Sequence, residues 1–216
     1  MNKIPVIDIP EEISDIRIAA VLAETSFTGR LIEPIHKKII DTIASKKYGL
    51  VIAPELSYCP PRPILPGQEH PALTIDEKNH YLNELLEATD DWSGTVFPGT
   101  MVYNQGKRQW NDVFGIQEGM VVHRHTKRRP QKMEWHGKEL GVVICAEDWL
   151  TPSYWKDLSL IVKVSCGNAG ANGIEALHKD GIMVVVDGYH QSVNVYKRRG
   201  EDAVAVFREF LQSAGK

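Results

Sequence analysis

At 216 residues, with 43% hydrophobic residues, 25% charged residues and a formal net charge of -3, the chain can bury a full core, and its balance argues against a disordered tail, a collagen-like fibre or a globally basic nucleic-acid binder. Its three cysteines, Cys59, Cys145 and Cys166, lack CxxC spacing, which speaks against a disulfide scaffold or zinc knuckle and for a reducing compartment. The stretch Met1 to Pro10 lacks the apolar run of a signal peptide, and no segment approaches the roughly 20 apolar residues that span a bilayer, so a soluble, cytoplasmic protein without membrane contact is expected.

The first element is a buried strand at Ile16 to Leu22, too short and too continuously apolar for an amphipathic helix. In Leu31 to Lys46, isoleucines 32, 35, 39, 40 and 43 recur at intervals of three and four, which predicts a helix. Gly49 to Ala53 is a second strand, stopped by Pro54. Strand, helix and strand with continuous apolar strands form the βαβ pattern of a parallel sheet covered by helices. Five prolines between residues 60 and 71 predict a surface loop. Thr74 with Glu77 forms a capping box that opens a helix to about Ala88.

The middle of the chain reads as β-rich, with strands at Thr95 to Tyr103, Asp112 to Ile116, Met120 to His125 and Leu140 to Cys145 and turns at 104–107 and 136–138. Thr151 and Pro152 resemble a helix start. Leu158 to Ser165 and Ile182 to Val186 read as strands, separated by a glycine-rich turn and a short helical segment. Apolar residues at 203, 204, 206, 207, 210 and 211 predict a closing amphipathic helix. With no repeat, low-complexity tract or linker in view, one α/β domain over residues 1–216 is expected.

Three candidate chemical groups sit where buried strands end, the place at which open α/β sheets gather functional side chains. Glu55 follows Pro54 beside the core and is suited to proton transfer. Lys127 follows the strand ending at His125, and Cys145 ends the strand from Val142. Taken singly, a glutamate after a strand is usually a solvated loop residue and a strand cysteine a small buried hydrophobe.

Together they resemble a family. The runs VIAPEL (51–56), GMVVHRHTK (119–127) and LGVVICAEDW (140–149) are similar, in order, to the three signature segments of the nitrilase, or carbon-nitrogen hydrolase, superfamily. The IRIAAVL run and the region of Asn111 also fit. The resemblance implies a nitrilase-like α-β-β-α sandwich of two mixed sheets with helices outside. It implies a hydrolase that cleaves a non-peptide carbon-nitrogen bond of a small-molecule amide or nitrile and needs no cofactor. Cys145 would be the nucleophile, Glu55 the base and Lys127 the oxyanion stabiliser, with the Ala146 N–H as a second donor. Glu134 is the one candidate for the family's second helper glutamate, and Ala146, Glu147 and Trp149 beside the cysteine are candidate substrate contacts. An amine acceptor in place of water would make an acyltransferase.

Several features depart from the family. An aromatic residue is common where Ala146 stands. The 18 residues from Lys127 to Cys145 are a compressed interval, which raises the alternative of a catalytically silent ligand-binding relative. A homodimer is implied by the resemblance, but the late strand pair and tail that pack across dimers are not recognisable after Tyr189. Among other constellations, the run SCGNAGANG (165–173) lacks P-loop spacing and reads as a tight turn bordering the site, with Cys166 a structural thiol in preference to a second pocket thiol. His123 and His125 share a strand face with too few ligands for a metal. The cluster Arg124, Lys127, Arg128, Arg129 and Lys132 has no interleaved aromatic residue, so nucleic acid is not the expected partner. A basic rim of this kind would steer a carboxylate-bearing substrate.

Overall fold

The continuous apolar strands are explained by a sandwich in which sheet faces are covered on both sides. A computed structural model describes residues 4–13, 16–22, 32–60, 71–129, 131–149, 157–171, 174, 177–199 and 202–210. The loop expected between residues 60 and 71 falls almost wholly outside them. So do the helix start at Thr151 and Pro152 and most of the short helical segment after residue 171.

The first sheet contains β1 (Val6–Ile13), β2 (Ile16–Val21), β3 (Leu50–Ile52), β4 (Thr95–Phe97), β5 (Thr100–Gln105), β6 (Arg108–Gln117) and β7 (Met120–Thr126). Its order is β1-β2-β3-β4-β6-β5, with β7 also on β6. The pairs β2/β3 and β3/β4 are parallel, as the βαβ pattern requires, and the others are antiparallel. The second sheet contains β8 (Lys132–Trp135), β9 (Lys138–Ile144), β10 (Leu158–Ser165), β11 (Leu177–Asp187), β12 (Ser192–Arg199) and β13 (Asp202–Phe210). It runs β13-β12-β11-β10-β9-β8, with β9, β10 and β11 parallel.

Side-chain alternation divides the core into layers. Ile18, Ala20, Leu50 and Ile52 of the first sheet face Leu140, Val142, Ile144, Val162 and Val184 of the second. Trp135 joins the two sheets through this layer, its indole N–H donating to Thr95 Oγ1 at 2.9 Å. On the outer face of the first sheet, Val51 and Val96 pack against α1 (Ile32–Ala44) and α2 (Ile75–Thr89). The isoleucine stripe of α1 buries Ile32, Ile35, Ile39 and Ile43, each worth about 2 to 3 kcal/mol over an exposed side chain. The α2 capping box forms, Thr74 accepting from the Glu77 N–H and Glu77 accepting from the Thr74 N–H. The outer face of the second sheet buries Val143, Ile161, Met183 and Val185 together with Ile174.

One element differs from the sequence reading. Residues 202–210 form a strand, β13, and no helix, and with β12 they make the late strand pair that the sequence had hidden. The cause is a β-bulge. Pairing steps from Val195↔Phe207 to Tyr196↔Ala205, leaving Val206 as an extra residue. Adjacent Val206 and Phe207 therefore both pack on the intersheet core, and two neighbouring apolar residues on one face mimic a helical stripe. The eight-residue strand β1 and the short strand β8 were also absent from the sequence reading.

Candidate active site

The three candidate groups arrive from different strand ends. Glu55 lies in the turn after β3, Lys127 in the turn after β7, and Cys145 directly after β9. Each turn has a non-glycine residue in the left-handed region: Leu56 at φ 62°, Arg128 at φ 70° and Cys145 at φ 56°. Such backbone costs on the order of 1 to 3 kcal/mol and persists only where surrounding bonds impose it. Here the bonds are visible.

At the Glu55 turn, the Leu56 N–H donates to Thr100 Oγ1 at 2.9 Å and the Ser57 hydroxyl to the Pro54 carbonyl at 2.7 Å. Gly99 presses against this turn; a Cβ on it would stand 2.1 Å from the Pro54 oxygen. At the Lys127 turn, the Lys127 N–H donates to the Asn111 carbonyl at 3.0 Å and the Arg129 N–H to the Thr126 carbonyl at 2.8 Å. At Cys145 the chain leaves β9 and turns at once into a 3-10 helix, Cys145–Trp149.

The side chains converge on one cavity of about 480 Å³, lined by Glu55, Lys127 and Cys145 and also by Trp110, Asn111, Arg128 and Cys166. Lys127 Nζ lies 2.6 Å from Glu55 Oε1, and Asn111 Nδ2 donates to the same oxygen at 3.2 Å. Glu55 is only 3% exposed, so this carboxylate is held from two sides beside the core. Burial alone would lower the Lys127 ammonium's pKa, but Glu55 overrides it and the net direction is upward. Burial, reinforced by the Glu55 charge, raises the Cys145 thiol above its ordinary value despite opposing contributions that include Lys127. The resting site is therefore a neutral thiol beside a carboxylate-ammonium pair. Cys145 Sγ has long polar contacts of 3.8 Å to the Cys166 carbonyl and to Ser165 Oγ.

Glu147 binds the scaffold rather than standing open as a substrate contact. It is 5% exposed and accepts from His125 Nε2 at 2.7 Å, from the Ile144 N–H at 2.9 Å and from the Arg128 N–H. One carboxylate thus clasps the chain on both sides of Lys127 and the residue preceding Cys145. The sequence reading had missed this role; the signal for it was a glutamate two residues after Cys145 and a histidine two before Lys127.

Glu134 is elsewhere. It lies exposed on β8, opposite Glu139, and does not line the cavity. The alternation of β8 accounts for this, since Met133 and Trp135 take the buried face. Ala146 is half-buried in the turn beside Cys145, while the side chain of Trp149 falls outside the described residues. Cys166, read as structural, lines the cavity. Trp110, which the sequence reading left aside, also lines it and lies beneath the guanidinium groups of Arg124 and Arg129. His123 and His125 are both buried, and burial, with His125 beside it, pushes the His123 pKa down to about 4. Among the described residues no cluster has the makings of a metal site, and no helix is long and apolar enough to cross a membrane.

No protein-family model matches the chain, and no curated sequence is significantly similar to it. Solved structures are similar in fold. A cysteine-to-alanine mutant of an amidase from Nesterenkonia, of the nitrilase superfamily, matches with a TM-score of 0.64 at 12% identity, over 90% of this chain and 88% of that one. A glutamate-to-glutamine mutant of the Nesterenkonia amidase, with the acetamide moiety of fluoroacetamide added covalently at the active-site cysteine, matches with a TM-score of 0.64 at 14% identity over the same shares. A member of branch 10 of the nitrilase superfamily from Saccharomyces cerevisiae matches with a TM-score of 0.57 at 14% identity, over 88% of this chain and 84% of that one.

Two outcomes follow from the geometry. Glu147→Ala leaves a buried histidine and two backbone donors without their acceptor, and should cost about 3 kcal/mol or more in denaturant unfolding; a change within about 0.5 kcal/mol would show that Glu147 ties nothing together. In a pH series of iodoacetamide labelling, the Cys145 midpoint should lie above that of an ordinary thiol. It should fall in Glu55→Gln, because the variant removes a charge that opposes the thiolate. An unchanged midpoint would separate the two residues.

Proposed function

On this nitrilase-superfamily fold, we propose that the protein hydrolyses a carbon-nitrogen bond of a small-molecule amide or nitrile through a thioester on Cys145. The observation that carries the reading is the meeting of Glu55, Lys127 and Cys145 in one cavity, with Lys127 paired to Glu55 at 2.6 Å.

The chemistry follows from the resting charges. A neutral thiol is a weak nucleophile, so the reaction begins when Glu55 accepts the Cys145 proton as Sγ attacks the amide carbon. Protonating Glu55 frees the Lys127 ammonium from its counterion just as negative charge develops on the substrate oxygen. The cation then stabilises the oxyanion, with the Ala146 N–H as second donor. Glu55 returns the proton to the leaving nitrogen, and ammonia or an amine departs. Water then attacks the thioester, Glu55 taking its proton, and the acid is released as the thiol is restored. With an amine in place of water the same site would transfer the acyl group.

The ion pair also favours this reading over a silent ligand-binding relative. Burying the Glu55 carboxylate against a half-buried ammonium beside a thiol costs stability, and simple ligand binding does not require it.

Ammonia release from a panel of small amides and nitriles tests the proposal. The wild-type chain should turn over at least one member, Cys145→Ala should abolish the activity, and Lys127→Gln should lower kcat/KM by about 10²-fold or more. Glu55→Gln should lose turnover while its Cys145 still accepts iodoacetamide, which separates lost proton transfer from a lost thiol. Ammonia release that persists in Cys145→Ala would overturn the mechanism, and no release from any member would favour the silent relative.

A further inference from the structure

We infer that the cavity selects amides carrying a second, anionic group, a carboxylate, and that Arg128 is the residue that binds it. The inference rests on the hydrolase reading and names its substrate class.

The argument is one of charge balance at the cavity wall. Among the described residues, Glu55 is the one acidic side chain that lines the cavity, and Lys127 already opposes its charge at 2.6 Å. Arg128 lines the same cavity. Its backbone N–H is committed to Glu147, but its guanidinium has no hydrogen-bond or ion-pair partner among the described residues. The other nearby acids are occupied. Glu147 is taken by His125 and two backbone donors, and Asp112 by Arg124 at 2.8 Å and the Tyr103 hydroxyl at 2.7 Å. Arg128 is therefore a surplus positive charge on the wall.

Its surroundings strengthen the effect. Trp110 forms an adjoining part of the wall, with the Arg124 and Arg129 guanidinium groups 5.4 and 5.8 Å from the ring centroid. Arg124 is balanced by Asp112, so it is Arg129 that adds to the positive potential at this wall. A volume of about 480 Å³ also exceeds what a two-carbon amide fills, leaving space for a chain that ends in a second polar group. Guanidinium is the side chain best matched to that group, because its planar fork pairs with both oxygens of a carboxylate. Arg128 is exposed at the edge of the cavity, and its backbone, at φ 70°, is tied to Glu147 through its N–H.

The test reads the charge preference of the cavity at the Cys145 thiol, without requiring turnover. Iodoacetate and iodoacetamide deliver the same electrophilic carbon and the same leaving group, and differ in a carboxylate against a neutral amide. Rates of alkylation at Cys145 are measured by peptide-mapped mass spectrometry on the full chain, and the iodoacetate-to-iodoacetamide ratio is compared with that of glutathione. In the wild type the ratio should exceed the glutathione ratio by about tenfold or more and should shrink toward it in 0.5 M salt. Arg128→Gln should remove most of the excess and Arg128→Glu should invert it; both alkylation rates fall with the thiolate fraction when the cation is lost, and that fraction cancels in the ratio. A wild-type ratio at or below that of glutathione overturns the inference even if neither variant folds. So does a ratio untouched by either substitution.

The two readings fail separately. A preference that disappears in Arg128→Gln, in a chain that releases ammonia from no amide, keeps the anion site and sinks the hydrolase. Turnover of neutral amides with a flat alkylation ratio keeps the hydrolase and sinks the anion site.

Discussion

The site depends on a single buried carboxylate. Glu55 and Lys127 are carried by the first sheet and Cys145 by the second, so their meeting requires the two sheets to hold one position at one end. Apolar packing between the sheets sets their spacing but is non-directional, and it does not by itself bring a thiol and an ammonium to the wall of one cavity. Glu147 supplies the direction. By accepting from the Ile144 N–H on one side and from His125 and the Arg128 N–H on the other, it fastens the end of β9 to the end of β7. The three left-handed residues around the cavity are held in place by this bond and by those at the Glu55 turn.

The electrostatics follow from that placement. Burial drives the thiol toward its neutral form and would do the same to the lysine, yet the lysine stays charged because Glu55 is 2.6 Å away. A site built this way keeps its cation balanced at rest and exposes it only when the carboxylate accepts a proton. In the proposed mechanism, nucleophile activation and oxyanion stabilisation are coupled through one proton. Arg128 lies outside that exchange, and the inferred anion site uses its charge.

Much of this was legible in the sequence because strand ends are legible. Pro54 stops an apolar run before Glu55, and the run 140–144 ends on Cys145, so the placement of both followed from periodicity and topology alone. Glu134 was misplaced because its position was inferred from a family interval that this chain shortens, and the alternation of β8 turns it to solvent. Glu147 was noticed but given to the substrate, since neighbourhood in sequence does not reveal which side of a turn a carboxylate faces. The final strand was read as a helix because a bulge at Val206 brings two adjacent apolar residues to one face, and a period-based reading cannot separate that from a helical stripe. The glycine-rich run with Cys166 was read as bordering the site, and Cys166 does line the cavity, whereas Trp110 reaches it through tertiary contacts that leave no local signature.

The central claim is that Cys145, placed against Glu55 and Lys127, carries the acyl group. It is tested most directly by acid-quenching the full chain during turnover of an amide and mapping the adduct to a peptide by mass spectrometry. The account predicts a mass increase equal to the amide less ammonia on the peptide containing Cys145. Turnover with Cys145 unmodified, or with the adduct on Cys166 or Cys59, would contradict it.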